Sequence, residues 1–339
     1  MLRVAVFGAA GYAGEELLRI LLRHRNCTIA AVTSRGNAGK PVEEVFPRFT
    51  GSGLVFVEPD VAAIAPLCDA AILALPHGLA SEYARPLMDA GVAVIDISAD
   101  FRLRSLAKYR EYYGEHPAPE LLSKAVYGLP ELYRDKIREA SLIACPGCYP
   151  TSSILPTAPL LRKGLVSTKG VSVVSASGVT GGGRKVALDY LYCECNEGFR
   201  AYKAVGHRHL PEIEQEMAAA AGVPEMAINF IPHLAPMNRG INSTILMDAM
   251  PGCTLEAIRA AYEEAYGREQ FVTVLPHGRY ADVKYVTMTN CCQISYNLDG
   301  HTNRVIVNSV IDNLTKGASG QAVQCMNIRF GFEESEGLI

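Results

Sequence analysis

The sequence carries almost no excess charge of either sign. Its 339 residues include 32 Lys and Arg against 35 Asp and Glu, which leaves a net charge of −3 at pH 7. This balance gives no electrostatic reason to expect nucleic acid or an anionic membrane surface as a partner. The sequence therefore predicts neither kind of partner.

Long hydrophobic runs are also missing. The most apolar region, residues 61–75, is broken by Pro66 and Asp69 and is too short to span a bilayer. The first residues, MLRVAVFG, lack the basic start and long apolar core of a secretory signal. The ten cysteines are then best interpreted as reduced thiols, and we expect a soluble cytoplasmic protein.

What the sequence does contain is enough apolar residues, 49%, for two domains in a chain of this length. In residues 1–147, short apolar runs alternate with leucines at helical spacing, as in a Rossmann-type α/β domain with a doubly wound parallel sheet. The predicted strands are 2–7, 28–33, 70–75, 92–97 and 142–144, with helices at 15–24 and 80–90.

After about residue 150 the pattern changes to that of an α+β domain with a mixed sheet. The predicted strands are 171–176, 227–231, 243–247, 271–275, 291–296 and 304–310, with a hairpin turn at 297–301 and a helix at 255–266. We expect this second domain to cover residues 148–311. The segment 312–339 looks helical at its start, and we expect it to complete the first domain.

A glycine motif, GxxGxxG, lies between the first strand and the first helix. It consists of Gly8, Gly11 and Gly14, with Tyr12 and Ala13 between the last two. Main-chain amides at such a helix start point towards a bound anion, so the motif favours a dinucleotide site over a merely structural turn.

The end of the second predicted strand indicates which dinucleotide. NAD sites usually place an acid there to bind the ribose hydroxyls. This chain has Ser34 and Arg35 instead, a hydroxyl and a guanidinium that suit a 2′-phosphate. The sequence therefore favours NADP(H), against the alternative that Arg35 is a solvated loop charge.

Two cysteines, Cys145 and Cys148, flank Pro-Gly in ACPGCYPT. A redox dithiol is typical of a much smaller thioredoxin-like fold. A zinc site needs a second pair of ligands, and neither Cys193 with Cys195 nor the adjacent cysteines 291 and 292 have the usual spacing. A single nucleophile at Cys148 is the remaining interpretation, because a thiol at a helix start is more readily ionised.

A nucleophilic thiol needs a proton-transfer partner, and GHRHLPE offers two imidazoles and a carboxylate. These are His207, His209 and Glu212. Because Pro211 starts a helical run, His209 should stand just ahead of that helix and face a cleft. The alternative is that each histidine is a satisfied surface or core residue.

Recognition of an oxyanion needs fixed donors. Arg102 follows a predicted strand at the carboxyl edge of the first sheet, where ligands of such folds bind. The glycine-rich segment 177–184 either approaches a cofactor or is a flexible connection, and the residues leave both possibilities open.

Several motifs together resemble the N-acetyl-gamma-glutamyl-phosphate reductase family over essentially the whole chain. They are GAAGYAGEELLRIL, DISADFRL, YGLPEL, CPGCYPT, SGVTGGGR, GHRHLPEI, PHLAPMNRGI and NLTKGASGQAVQ. The resemblance implies Cys148 as the sole nucleophile and His209 as the acid–base. It also implies Ser177 and Gly178 on the nicotinamide side of the cofactor, and Asn313 is expected to bind the cofactor as well. The substrate contacts expected at these motifs are Arg102, His207, Glu212 and Arg239, and no metal is expected.

The resemblance implies an activity and partners as well. It predicts NADPH-dependent reduction of an acyl phosphate, N-acetyl-L-glutamyl 5-phosphate, through a cysteine thioester in arginine biosynthesis, with release of phosphate. A homodimer or homotetramer is expected. The alternatives are a related reductase for aminoadipyl or aspartyl phosphate, and a non-enzymatic nucleotide sensor on the same scaffold.

Overall fold

The computed structural model describes all 339 residues and divides them into two compact units. The first unit comprises Met1–Gly147 and Ala318–Ile339, and the second comprises Cys148–Gly317. Residues 312–317, which the sequence analysis assigned to the first domain, group here with the second unit.

The chain forms fourteen strands and eleven α-helices. The strands are β1 (Leu2–Phe7), β2 (Cys27–Thr33), β3 (Phe56–Val57), β4 (Ala70–Leu73), β5 (Ala93–Asp96), β6 (Val126–Tyr127), β7 (Leu142–Ala144), β8 (Ser172–Ser177), β9 (Arg200–Ala201), β10 (Asn229–Leu234), β11 (Ile241–Asp248), β12 (Val272–Val274), β13 (Cys292–Asp299) and β14 (Arg304–Ile311). The helices are α1 (Tyr12–Leu21), α2 (Val42–Val45), α3 (Val61–Ile64), α4 (Ala80–Asp89), α5 (Leu106–Tyr113), α6 (Pro130–Glu139), α7 (Cys148–Arg162), α8 (Tyr192–Cys195), α9 (Leu210–Ala221), α10 (Leu255–Tyr266) and α11 (Gly320–Phe330). None of the helices combines the length and hydrophobicity needed to cross a bilayer.

The first unit is built on a parallel sheet of seven strands in the order β3-β2-β1-β4-β5-β7-β6. Every residue of the central strands β4, β5 and β7 is buried. Strands covered on both faces read as continuous apolar runs, which is why the sequence identified them. The predicted Rossmann-type sheet is confirmed.

Helix α11 returns to the first unit and is almost entirely buried there. Just before it, the Ser319 hydroxyl donates to the Ala13 carbonyl of α1 at 2.8 Å. Further along, the Cys325 thiol donates to the Gly128 carbonyl at 3.3 Å. These contacts tie the last helix of the chain to α1 and to the segment between β6 and α6.

The second unit is built on a mixed sheet in the order β12-β13-β14-β11-β8-β10-β9. Its central pairs are antiparallel, whereas β10 with β8 and β12 with β13 are parallel. Buried and partly exposed residues alternate along β8 and β11, as expected when only one face meets the core. The long buried helix α7 covers that face, and the Ser152 hydroxyl lies 2.7 Å from that of Ser243 on β11.

The hairpin turn lies later in the chain than predicted. Strand β13 continues to Asp299, so the turn occupies residues 300–303 rather than 297–301. The Asp299 carboxylate accepts the main-chain N–H of His301 at 2.9 Å and the hydroxyl of Thr302 at 2.6 Å. Asn303 then adopts φ +55°, which Asn tolerates better than most residues.

Candidate active site

Cys148 is the first residue of α7 and is partly exposed, in contrast to the buried helix that follows it. The hydroxyls of Ser152 and Ser153 donate to the Tyr149 carbonyl at 3.0 and 2.8 Å, so side chains also fix the first turn. Gly317 lies directly against the thiol-bearing residue. The structure thus presents a partly exposed thiol at the start of a buried helix.

Tyr149, the next residue, organises the surroundings of the thiol. Its ring lies edge-on to three rings, with centroids 5.7 Å from His207, 5.9 Å from His209 and 5.2 Å from Phe230. Its hydroxyl is 3.0 Å from that of Tyr202. The structure therefore brings Cys148 and both predicted histidines together around one aromatic ring.

Both tyrosines of this cluster keep their protons at neutral pH. Burial raises the pKa of Tyr149 well above its usual value, and the neighbouring Tyr202 adds to the effect. Burial also raises the pKa of Tyr202 to about 12, and the nearby Cys148 thiolate acts in the same direction. Both phenols are therefore neutral, and the Tyr149 hydroxyl, 3.0 Å from that of Tyr202, can also donate to the His233 carbonyl at 3.3 Å.

His207 is a buried, neutral imidazole. It is 9% exposed, and burial lowers its pKa to about 4, with smaller contributions from the positive charges of Lys203 and Arg208. Its Nδ1 accepts the main-chain N–H of His209 at 3.1 Å, which places the ring proton on Nε2. His207 is therefore not a cation at neutral pH.

His209 stands immediately ahead of α9, as the sequence predicted from Pro211. Its carbonyl accepts the N–H of Ile213 at 3.0 Å and so begins the helical hydrogen-bond pattern. Its ring centroid is 5.1 Å from that of His207. Glu212, one turn further, is buried at 1% exposure on the same helix.

Ser177 ends β8, and Gly178 follows it at a very close main-chain approach. A β-carbon at Gly178 would lie 2.7 Å from the Asn238 carbonyl oxygen and 2.8 Å from the Arg239 nitrogen. Only glycine lets these two chain segments meet. The Ser177 hydroxyl also contacts that of Tyr149, which links this loop to the thiol site.

Asn313 holds two loops of the second unit together. Its side-chain oxygen accepts the N–H of Gly240 at 2.7 Å, and its amide donates to the Thr180 hydroxyl at 3.0 Å. Arg239 forms an ion pair with the fully buried Asp312 at 3.0 Å. Arg239 stays 15% exposed at its side chain, so it keeps some access to a ligand.

The three glycines of the loop before α1 are required for different reasons. Gly8 has φ +81°, and a β-carbon there would lie 2.3 Å from the Ala74 oxygen. A β-carbon at Gly14 would lie 2.5 Å from the α-carbon of Ala9. A β-carbon at Gly11 would contact only the Gly8 oxygen, at 3.7 Å. Because Gly11 has no β-carbon, the space at the start of α1 stays open. That space, beside Tyr12 and Ala13, fits an anionic group such as a cofactor phosphate.

The end of β2 presents the hydroxyl and guanidinium predicted from the sequence. Arg35 donates from Nη2 to the Tyr83 hydroxyl on α4 at 2.6 Å. The Ser34 hydroxyl accepts from the Asn37 amide at 3.0 Å. No carboxylate of the chain is bonded to Ser34 or to the Arg35 guanidinium, and the pair therefore fits a ribose 2′-phosphate.

Arg102 is more deeply enclosed than an open anion clamp. It is 5% exposed, and its Nε donates to the Cys145 carbonyl at 2.7 Å while Nη2 donates to the Ile97 carbonyl. The guanidinium thus ties together the segments that follow β5 and β7. Cys145 itself is fully buried, with none of its surface accessible.

No group of three or more His, Cys, Asp or Glu side chains is arranged to hold a metal ion. All ten cysteines are free thiols, and Cys193 is exposed on the short helix α8.

Sequence reasoning missed three contributors to the site, namely Tyr149, Tyr202 and Gly317. Tyr149 adjoins the thiol in GCYPT, so its position was visible although its role was not. Tyr202 and Gly317 reach the site only through the fold, because Tyr202 lies 53 positions from Tyr149.

Comparison with known proteins identifies the family of both units. Residues 3–140 match the family described as semialdehyde dehydrogenase, NAD binding domain, and residues 148–313 match semialdehyde dehydrogenase, dimerisation domain. An N-acetyl-gamma-glutamyl-phosphate reductase of Akkermansia muciniphila is 53% identical and covers 99% of this chain and 98% of that protein. One of Desulforapulum autotrophicum is 47% identical over 100% of this chain and 98% of that protein.

The fold has solved counterparts at low sequence identity. Aspartate semialdehyde dehydrogenase II from Vibrio cholerae, solved with ASA, has a TM-score of 0.75 at 17% identity and covers 98% of each chain. The aspartate semialdehyde dehydrogenase from Candida albicans, solved with NADP, has a TM-score of 0.73 at 16% identity over 97% of this chain and 98% of that one. These structures establish the two-domain fold.

Proposed function

The chain belongs to the N-acetyl-gamma-glutamyl-phosphate reductase family, and we propose that it reduces N-acetyl-L-glutamyl 5-phosphate to N-acetyl-L-glutamate 5-semialdehyde with NADPH, in arginine biosynthesis. The observation that carries this proposal is the grouping of a partly exposed thiol, Cys148, with His209 around Tyr149. An acyl phosphate needs a nucleophile and a proton-transfer group, and this grouping supplies both.

In the first step the Cys148 thiolate attacks the acyl carbon. A sulfur–carbon bond forms, the bond from carbon to the phosphate oxygen breaks, and inorganic phosphate leaves with its electron pair. The product is a thioester on Cys148, which splits one difficult reduction into two easier steps. We expect main-chain N–H groups and the His209 ring to stabilise the oxyanion.

In the second step the thioester becomes an aldehyde. NADPH, when bound, supplies the hydride for the acyl carbon. The carbon–sulfur bond then breaks, the thiolate returns to Cys148, and the aldehyde leaves. The oxygen electrons re-form the carbon–oxygen double bond as the sulfur leaves, and His209 supplies and then takes back the proton that the oxygen holds in between. We propose that Gly8, Gly11, Tyr12, Ala13 and Gly14 contact the cofactor and that Ser34 and Arg35 contact its 2′-phosphate. The family resemblance implies further cofactor contacts by Ser177 and Gly178, on the nicotinamide side, and by Asn313.

Arg239 is the better supported of the two arginines proposed for phosphate. It belongs to the same unit as Cys148 and remains partly exposed. The nitrogens of Arg102 described above donate to buried carbonyls. Glu212, buried on the helix that follows His209, stays a proposed neighbour of the substrate site.

We propose that the oligomer is a homodimer or a homotetramer. The second unit matches a dimerisation domain, and one face of its sheet is only partly covered. That face carries the apolar side chains Val174, Leu246 and Ile306, with Ile306 directly across from Leu246. Light scattering on the purified protein distinguishes the two assemblies by molar mass.

A reverse-direction assay tests the proposed activity. It follows NADP reduction with N-acetylglutamate semialdehyde plus phosphate, against aspartate semialdehyde and glyceraldehyde 3-phosphate under the same conditions. We expect the acetylated substrate to be used far better than the other two. Preference for aspartate semialdehyde would assign a related reductase, and no turnover of any aldehyde would favour a nucleotide sensor.

A further inference from the structure

Resting on the proposed function, we infer that His207 is a positioning residue, whose Nδ1 holds the main-chain N–H of His209 and thereby fixes the start of α9 and the His209 ring. The sequence analysis assigned His207 to substrate contact. The geometry points instead to a role exerted through its neighbour.

The hydrogen bond closes a tight turn around the acid–base residue. Nδ1 of His207 accepts the His209 N–H at 3.1 Å, and the His207 carbonyl accepts the Leu210 N–H at 2.9 Å. The two bonds fix the main chain on either side of the His209 α-carbon. At that point α9 begins, without any side-chain hydrogen bond from His209 to cap it.

The same turn occurs twice elsewhere in this chain, where it is purely structural. Nδ1 of His24 accepts the N–H of Asn26 at 3.2 Å, and Nδ1 of His116 accepts that of Ala118 at 2.9 Å. In both, the other ring nitrogen is bonded to a protein oxygen, 2.8 Å away for His24 and 2.7 Å for His116. A histidine that accepts the N–H two residues on is thus a recurrent local device of this sequence.

Aromatic rings orient His207 in place of such a second bond. Four ring centroids surround it, Tyr149 and Tyr202 at 5.7 Å and Phe230 and His209 at 5.1 Å. At 9% exposure the ring has little freedom to turn towards a substrate. Because its pKa is lowered to about 4, mainly by burial, Nδ1 stays an acceptor throughout the neutral range.

Two variants of His207 distinguish a positioning role of this residue from a direct contact with the substrate. His207→Phe keeps the aromatic packing but removes the acceptor. His207→Asn restores an acceptor, because its side-chain oxygen can take the N–H two residues on as in an Asx-turn. A matched pair, His24→Phe and His24→Asn, makes the same change in the equivalent turn of the first unit.

In the reverse assay we expect His207→Phe to lower kcat by about a hundredfold, the scale of a misplaced catalytic group, with the KM values for phosphate and aldehyde within about threefold. His207→Asn should recover to within about fivefold of the parent protein. The His24 pair should leave kcat unchanged. A KM increase of more than tenfold at unchanged kcat in His207→Phe would overturn the inference in favour of substrate contact.

Hydrogen–deuterium exchange provides a readout that does not depend on turnover. Without substrate, the peptide containing His209 should exchange faster in His207→Phe than in the parent protein, and His207→Asn should restore the protection. Equal protection in both variants would overturn the inference even if the reverse assay succeeds. If the proposed activity fails but the exchange pattern is as expected, the positioning role stands and the substrate assignment falls.

Discussion

Gly317 and Cys148 lie in direct contact. A β-carbon built on Gly317 would lie 2.8 Å from the β-carbon of Cys148 and 3.2 Å from its α-carbon. Real side chains do not tolerate the shorter distance, so residue 317 can only be glycine if the thiol is to keep its place. The glycine in NLTKGASGQ therefore serves the nucleophile, although it is far from it in the chain.

Gly317→Ala should damage catalysis by displacing Cys148. Overpacking of this kind costs about 1–3 kcal/mol, and we expect kcat to fall at least about tenfold with unchanged NADP affinity. Gly300→Ala, in the same unit with no atom within 4 Å of the new carbon, is the control and should behave like the parent protein. Full activity in Gly317→Ala would refute the contact as described.

Arg35→Ala should weaken NADPH binding selectively. We expect a loss of roughly 1.5–3 kcal/mol, the typical contribution of a hydrogen bond to a charged group, while NADH binding changes little. Tyr83→Phe serves as a control because it removes only the internal bond to Arg35, at 2.6 Å. Equal losses for both cofactors in calorimetric titrations would show that Arg35 does not contact the 2′-phosphate.

Arg102→Leu should lower stability. The change leaves the Cys145 and Ile97 carbonyls, which the guanidinium now satisfies, without their donor. Each unsatisfied buried group costs about 1–3 kcal/mol, so the melting temperature should fall by several degrees. Arg104→Leu, at an exposed position, should change it little. An unchanged melting temperature in Arg102→Leu would mean that the guanidinium is available to a ligand after all.

Acidification should destabilise the protein partly through His207. Its folded pKa of about 4 lies below its ordinary value of 6.5, because burial disfavours the cation. Between these values the unfolded chain binds a proton that the folded chain does not. The free energy of unfolding therefore falls as the pH drops from 6.5 to 4, by about 1.4 kcal/mol per pH unit.

Denaturant unfolding of the parent protein and of His207→Phe across this pH range checks the prediction. The variant should lack the part of the fall in the free energy of unfolding that is due to His207. The comparison matters because Asp96 acts in the opposite direction. Burial, with the nearby Asp100, raises the pKa of Asp96 to about 7, which favours the folded state at lower pH. Identical pH slopes in the two proteins would contradict the assignment of a neutral, buried His207.

The parallel sheet of the first unit could be predicted because its central strands are buried on both faces and read as apolar runs, as in 70–75 and 92–97. The two-residue strands β3 and β6 escaped prediction because so short a segment carries no pattern. The hairpin turn was placed too early because the Asp299 side chain, rather than Gly300 alone, shapes it.

Candidate site residues could be proposed from the sequence where the reactive side chains are neighbours in the chain, as in GCYPT and GHRHLPE. The contact of Tyr202 with Tyr149 was not, since the fold alone brings the two phenols to 3.0 Å. For Arg102 the sequence suggested an environment that the structure does not have. Its position after β5 suggested an open anion clamp, and only the structure reveals the carbonyls that enclose it.

In the proposed mechanism Cys148 alone carries the acyl group. Mass spectrometry after mixing the protein with N-acetylglutamyl phosphate, without NADPH, tests it directly. We expect one added acyl group, located on Cys148, which is absent in Cys148→Ser and retained in Cys145→Ser because Cys145 is fully buried. Acylation at Cys145, or its loss in both variants, would contradict the single-thiol account.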